Sequence, residues 1–169
     1  MIRCPKILPA TTLTRACYGS MFLGCASLIT VPELPATTLA ESCYYFMFGG
    51  CKSLTTIPNL PATTLAESCY ESMFSSCTSL VETPEGWYLP AQTLDLYSFN
   101  SMFSNCSKLQ KMAVSYSGTD LNMDWNGPWY LWMSGVPETG TFYYSKNQTE
   151  ENIRSIVPEG WTLVQSTEW

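Results

Sequence analysis

LPATTLAESCYYFMFGGCKSLTTIPN, residues 34–59, is the stretch on which the reading turns, because nearly the same 26 residues precede it and follow it. Leu8-Pro9-Ala10-Thr11-Thr12-Leu13 recurs at 34–39 and at 60–65. Cys17/Cys25 return as Cys43/Cys51 and Cys69/Cys77, and Met21-Phe22 returns as Met47-Phe48 and Met73-Phe74. A fourth copy opens at Leu89-Pro90-Ala91-Gln92-Thr93-Leu94. Its Met102-Phe103, Cys106 and Leu109 are displaced by 29 residues, so three have been added near Trp87. Self-similarity at a period of roughly 20 to 50 residues is the mark of a repeat array.

Each copy has two halves. In the first, Leu39, Cys43 and Met47 are spaced by four, as are Leu13/Cys17/Met21 and Leu65/Cys69/Met73, which predicts one apolar stripe on a short helix. Thr38-Leu39-Ala40-Glu41 and Thr64-Leu65-Ala66-Glu67 fit a capping box, in which a hydroxyl and a carboxylate satisfy the free N–H groups of a helix start. Gly24, Gly50, Ser76 and Asn105 stand where such a helix would stop, since glycine and asparagine tolerate left-handed backbone. The second half, Ser53-Leu54-Thr55-Thr56-Ile57-Pro58, is short and β-branched and predicts a strand ended by Pro32, Pro58 and Pro84.

Neither half can bury its apolar side alone. The expectation is therefore an α/β leucine-rich-repeat solenoid, with one short parallel strand and one short helix per copy of about 26 residues. Residues 1–7 form a partial copy, 8–33, 34–59, 60–88 and 89–117 follow, and 118–169 form a C-terminal cap. In this scheme Leu28, Leu54, Leu80 and Leu109 line one core. Trp161-Thr162-Leu163-Val164 is a candidate closing strand, and the tail holds five of the six tryptophans. Because Ile2 aligns with Leu28 and Leu54, the chain reads as entering part-way through a copy, with earlier copies, signal and anchor outside it.

The pattern Met-Phe-x-x-Cys-x-Ser-Leu, followed by a Thr-rich strand and a proline, resembles the BspA-like leucine-rich repeats of bacterial surface proteins, common in gut and oral Bacteroidales. That family's usual Ala-Phe has Met-Phe here, and the likeness runs from residue 8 to about 112. The tail from Trp132 to Tyr143, then Val157 to Thr162, is similar to the segment that closes such arrays. The resemblance implies a secreted or surface-anchored protein that in some members is an adhesin for host or bacterial macromolecules.

Composition narrows the function. Eight Lys and Arg against 14 Asp and Glu give a net charge of −6, which repels nucleic-acid backbones and anionic lipid. No apolar run approaches the roughly 18 to 20 residues that would span a bilayer, so this stretch is not expected to insert into a membrane. The chain contains no His, so Ser-His and Cys-His nucleophiles are unavailable. The cysteine spacings lack the C-x2-C step of zinc sites. Glu41 and Glu67 could pair as catalytic carboxylates, but their place in the capping boxes accounts for them already. We expect no catalytic residue, cofactor or metal. Equivalent cysteines on neighbouring strands would sit ~4.8 Å apart, wider than the ~3.8 Å Cβ separation of a good disulfide, so a ladder of reduced, buried thiols is expected.

A binding face should lie where copies vary while the frame repeats. Thr30, Thr56, Glu82 and Lys111 occupy one such row. Trp87 and Trp129 are added to it as aromatic candidates. The function expected is a non-enzymatic, adhesin-like module for a host or bacterial surface protein or glycan. Two alternatives stand beside it. A carbohydrate module would need two or more of Trp87, Trp125, Trp129 and Trp132 exposed and roughly coplanar, and a passive spacer would show a featureless face.

Overall fold

A computed structural model describes residues 4–85, 87, 89–91 and 93–169; Ile2 and Gln92, both used in aligning the copies, lie outside the described residues. Its regular elements are few. They are β1 (Lys111–Val114), β2 (Gly140–Tyr144), α1 (Glu150–Arg154) and β3 (Trp161–Gln165). The strands form one open parallel sheet in the order β1-β2-β3, with Met112, Phe142 and Leu163 in register. The expected leucine-rich-repeat solenoid is thereby overturned. Among the described residues helix is confined to five near the C-terminus, and no copy holds the predicted strand and helix pair.

What replaces the helix follows from where the amide protons go. Across 16–24 the N–H groups of Ala16, Tyr18, Ser20, Phe22 and Gly24 leave the segment and donate to the carbonyls of Glu41, Cys43, Tyr45, Met47 and Gly49. The intervening Cys17, Gly19, Met21, Leu23 and Cys25 donate three residues back. An α-helix needs its donors to stay within it, bonding four residues back. Here half of them cross to the next copy, so a ribbon of consecutive turns results.

The same allocation recurs at 42–50, 68–76 and 99–105. Every fourth residue turns left-handed: Ala16, Ser20 and Gly24, then Ser42, Phe46 and Gly50, then Ser68, Ser72 and Ser76, with non-glycine φ of 51° to 60° through the chain. Each non-glycine residue in that region costs roughly 1–2 kcal/mol, which the hydrogen bonds of each four-residue step, two to the next copy and two local, and the packing beneath must offset. The spacing of four is thus structural. On a helix the stripe would drift by about 40° at each such step; on this ribbon Leu39, Cys43, Met47 and Cys51 all stay buried.

The predicted capping boxes dissolve for the same reason. Thr38 makes parallel bridges to Thr12 and Thr64, and the Glu41 carboxylate pairs at 2.9 Å with Arg15 of the neighbouring copy. The predicted strands fail through their prolines. Pro84 follows Glu82 by two, and Glu82 is bridged to Lys111, so Pro84 stands level with Ala113. A proline has no N–H for the ladder, and Pro32 and Pro58 hold the same place in earlier copies. β1 is the first stretch in this register that is free of proline, and there a strand forms, continued by β2 and β3. Trp161–Gln165 fulfils the expected closing strand.

Beyond Ala113 the sequence loses its period, yet the local geometry continues. Phe99, Ser101, Phe103 and Asn105 donate to the carbonyls of Pro128, Tyr130, Trp132 and Ser134. Left-handed residues recur at Leu131 and Gly135, and Lys111 pairs with Thr141, thirty positions on. The segment assigned to a cap from 118 therefore contains one more turn ribbon, covered in turn by residues 145–165.

Two columns of rings fill the interior. Tyr18, Tyr44, Tyr70 and Phe99 stand 5.8 Å apart and end on Trp129, while Phe22, Phe48, Phe74 and Phe103 stand 5.4–5.6 Å apart and end on Trp132. A buried indole needs a partner for its N–H, and each finds a carbonyl. Trp87 donates to Pro58, Trp129 to Asp120, Trp132 to Ile156 and Trp161 to Pro137. α1 opens on Thr149, whose side chain accepts from the Asn152 N–H, and closes over the interior with Ile153, Ile156 and Val157 buried.

Candidate functional site

Four of the six candidate residues lie at the surface. Thr30, Thr56 and Glu82 are exposed and Lys111 is half-buried. The Lys111 Nζ lies 3.7 Å from the Glu82 carboxylate and 5.6 Å from the centre of the Tyr143 ring. Parallel register extends the row outward, since Lys111 faces Thr141 and Thr141 faces Thr162. Residues alternate between the faces of a strand. Tyr143 therefore shares the outer face with Lys111, while Phe142 and Tyr144 point inward and are buried.

Trp87 and Trp129 are not at the surface. Both are wholly buried, with their indole N–H groups bonded at 2.8 Å and 2.7 Å. Each packs on a ring column, Trp87 edge-on to Phe103 and Trp129 against Phe99 at the column's end. Trp132 is buried as well, so of the four tryptophans from which a carbohydrate face would need two or more exposed, Trp125 alone is exposed, at 71%. No coplanar row exists among them.

Two grooves flank the candidate row. One, of about 280 Å³, lies between Lys111, Tyr143 and Val164 on the sheet and the closing segment Ser166–Trp169. The other, of about 420 Å³, is walled by Pro32, Pro35, Pro58 and Pro61 and bordered by Thr56 and Glu33. Thr56 and Lys111 thus each stand at the lip of a groove, whereas Thr30 lines neither. Sequence reasoning overlooked Tyr143. The alternation of Thr141 and Tyr143 with Phe142 and Tyr144 was its available signal.

The thiols belong to the interior. Cys43, Cys51, Cys69, Cys77 and Cys106 are free and buried, and Cys17 and Cys25 are free and exposed at the first copy. Cys51, Cys77 and Cys106 donate S–H to the carbonyls of Phe22, Phe48 and Phe74 at 3.1–3.3 Å. Burial disfavours the thiolate. It pushes Cys51 up to about 11 and Cys43 and Cys106 up to about 12, and it raises Cys69 and Cys77 too. Among the described residues no group of three or more Cys, Asp or Glu could hold a metal ion.

These thiols predict an alkaline limit. A thiol near 9 in the unfolded chain and near 11–12 in the folded one stabilises the fold fully below about pH 9. That contribution fades as pH climbs through the folded values. The urea midpoint should stay level from pH 6 to 8 and fall steadily from pH 9 to 11. In parallel, iodoacetamide at pH 8 should modify Cys17 and Cys25 rapidly and spare the five buried thiols until urea is added. A midpoint indifferent to pH up to 11, or uniform alkylation, would contradict the burial described.

No family model matches the chain, and no curated protein or solved structure matches it significantly. No helix among the described residues is long and apolar enough to cross a membrane.

Proposed function

We propose that the chain is a non-enzymatic macromolecule-binding module, displayed outside a bacterial cell, that holds a host or bacterial surface protein or glycan along the outer face of its sheet. The observation that carries this reading is the groove between Tyr143 and the closing segment, lying beside the row of Glu82, Lys111, Thr141 and Thr162. A passive spacer has no use for a concave, aromatic-sided recess; ligand sites are concave and combine apolar walls with a few placed polar groups. The surface setting rests on the Met-Phe-x-x-Cys-x-Ser-Leu motif. The charge of −6 disfavours a nucleic-acid partner.

The test is binding to an immobilised panel of mucins, extracellular-matrix proteins and bacterial wall glycans. Tyr143→Ala and Lys111→Glu should each weaken the binding found at least tenfold, with the melting temperature held. Undiminished binding by both variants would move the site elsewhere. A panel that captures nothing would leave the spacer reading in possession.

A further inference from the structure

Two left-handed positions of the later ribbons hold residues that the backbone there resists. Tyr97, at φ 57°, stands where earlier copies have Ser42 and Ser68, and Leu131, at φ 51°, stands where they have Ser72 and Ser101. A bulky side chain is an outlier in that region, and strain of this kind gathers at functional surfaces. Neither residue goes to the interior: Leu131 is exposed and Tyr97 is half-buried. Leu96, in the place of Glu41 and Glu67, is exposed as well.

Trp125 joins them. Its ring centre lies 6.4 Å from that of Tyr97, the planes tilted by 57°, and the residue is 71% exposed. Its loop is held on both sides of it, for the Asp124 N–H donates to the Asn122 side chain and the Gly127 N–H to the Asp124 carbonyl, each at 2.7 Å. The ribbon beneath has a neighbour on either flank. Ser68 and Tyr70 donate to the carbonyls of Leu96 and Ser98, while Phe99 and Ser101 donate to those of Pro128 and Tyr130. The patch is therefore open because of the residues it carries.

Charge says what covers it. Asp95 adjoins Leu96 in the chain, Asp120 and Asp124 share the Trp125 loop, and all three are exposed. From Ser53 to Ser107, and again from Met112 to Ser145, the sequence holds no Lys or Arg. Ion pairs among the described residues lie elsewhere, between Arg15 and Glu41, Lys111 and Glu82, and Arg154 and Glu150. On the neighbouring ribbon, burial holds the Glu71 carboxyl above the usual carboxylate range, and Glu67 adds to the effect.

We propose that this patch docks an arginine-bearing segment of another protein, with a guanidinium lying on the open face of Trp125 beside Tyr97 and its N–H groups turned to the neighbouring aspartates. A guanidinium is planar, stacks on aromatic faces and keeps N–H donors for carboxylates. A quaternary ammonium engages rings but has no N–H for the aspartates. A run of sugar rings needs coplanar partners, and these two rings are tilted. Nucleic acid and anionic lipid meet the acids with like charge. Arg15 and Arg154 of a second copy are already paired, so the segment belongs to a different chain. The patch shares no residue with the groove beside Tyr143, and the inference does not rest on the proposed function.

The probe is a labelled synthetic peptide with two arginines spaced by glycines, titrated with the intact chain at low ionic strength and read by fluorescence anisotropy. Two control peptides carry citrulline, which is uncharged, or trimethyl-lysine in place of arginine. The arginine peptide should bind saturably, and the citrulline peptide roughly tenfold or more weaker. Trp125→Ala should weaken the arginine peptide by roughly tenfold with the melting temperature held, since the side chain it removes is exposed. Asp95→Asn with Asp124→Asn should weaken it too and flatten its dependence on salt. Absence of binding, equal binding by the citrulline peptide, or undiminished binding by Trp125→Ala overturns the proposal. A trimethyl-lysine peptide that binds as tightly as the arginine one overturns it in favour of a quaternary ammonium. Self-association of the chain that Trp125→Ala abolishes overturns it in favour of a second copy.

Discussion

Met47→Asp should leave the chain barely folded at neutral pH, with about 4–5 kcal/mol lost, whereas Thr56→Asp should lose well under about 1 kcal/mol. Met47 is wholly buried, four positions from Cys43 and Cys51, which are buried with it. A carboxylate there has no counter-charge, for among the described residues no buried Lys or Arg lines the interior. Stabilities of domains this size run at roughly 5–15 kcal/mol, so such a loss is a large share of the whole. The sign of the pH dependence is fixed by the same burial. A buried aspartate has its pKa raised, so the penalty should shrink as pH falls below about 5 and the side chain becomes neutral. Urea titration of both variants at pH 4.5 and pH 7 checks this. Equal effects at positions 47 and 56 would mean that inside and outside have been exchanged.

Trp132→Ala should cost about 3–5 kcal/mol, and its damage should begin at the C-terminal end. Its indole stands edge-on to Phe103, Trp129 and Phe142 and donates its N–H to the Ile156 carbonyl. It therefore joins the second ring column, the sheet and the covering segment in one residue. Truncation removes the ring and leaves that carbonyl buried without a donor, two losses that add. Hydrogen exchange should accelerate first in β2 and β3, with amides of 42–50 following at higher urea. Trp132→Phe keeps the ring and loses the N–H, so it should fall between alanine and the parent. Loss of protection everywhere at once in the alanine variant would show that the ring columns unfold as one unit with the sheet.

Much of the frame could be read from the residues, and the reason it misled is specific. The spacing of Leu39, Cys43, Met47 and Cys51 announces a buried stripe but not how the backbone carries it, because a short helix and a turn ribbon both bring every fourth residue to one side. The deciding quantity is the destination of the N–H groups, which depends on whether the neighbouring copy lies within 3 Å or so to receive them. Two local signs did favour the ribbon. The four-residue step never shifts to three, as a long helical face must, and Ser42, Ser68, Ser72 and Ser76, with Gly24 and Gly50, occupy the positions that turn left-handed. The prolines were read as strand ends when Pro32, Pro58 and Pro84 instead forestall the strands.

The candidate site divides along similar lines. Glu82 and Lys111 could be placed together because the count from copy to copy survives the added residues, and they pair. Trp87 and Trp129 could not be sorted from Trp125 by composition. What separates them is a carbonyl within reach of the indole N–H, Pro58 for one and Asp120 for the other, and that contact spans 29 and 9 residues of chain.

The copies differ in length, 26 residues between the early ones, 29 at the fourth and 30 at the last, yet both ring columns pass through all of them without a break. Register is thus held at the ribbon, while the sequence places the surplus residues elsewhere, first near Trp87 and then between 115 and 127. The second of these, where Thr119, Asp120 and Asn122 to Trp125 are exposed, is where a foreign loop could be grafted while the remainder of the molecule carries on undisturbed.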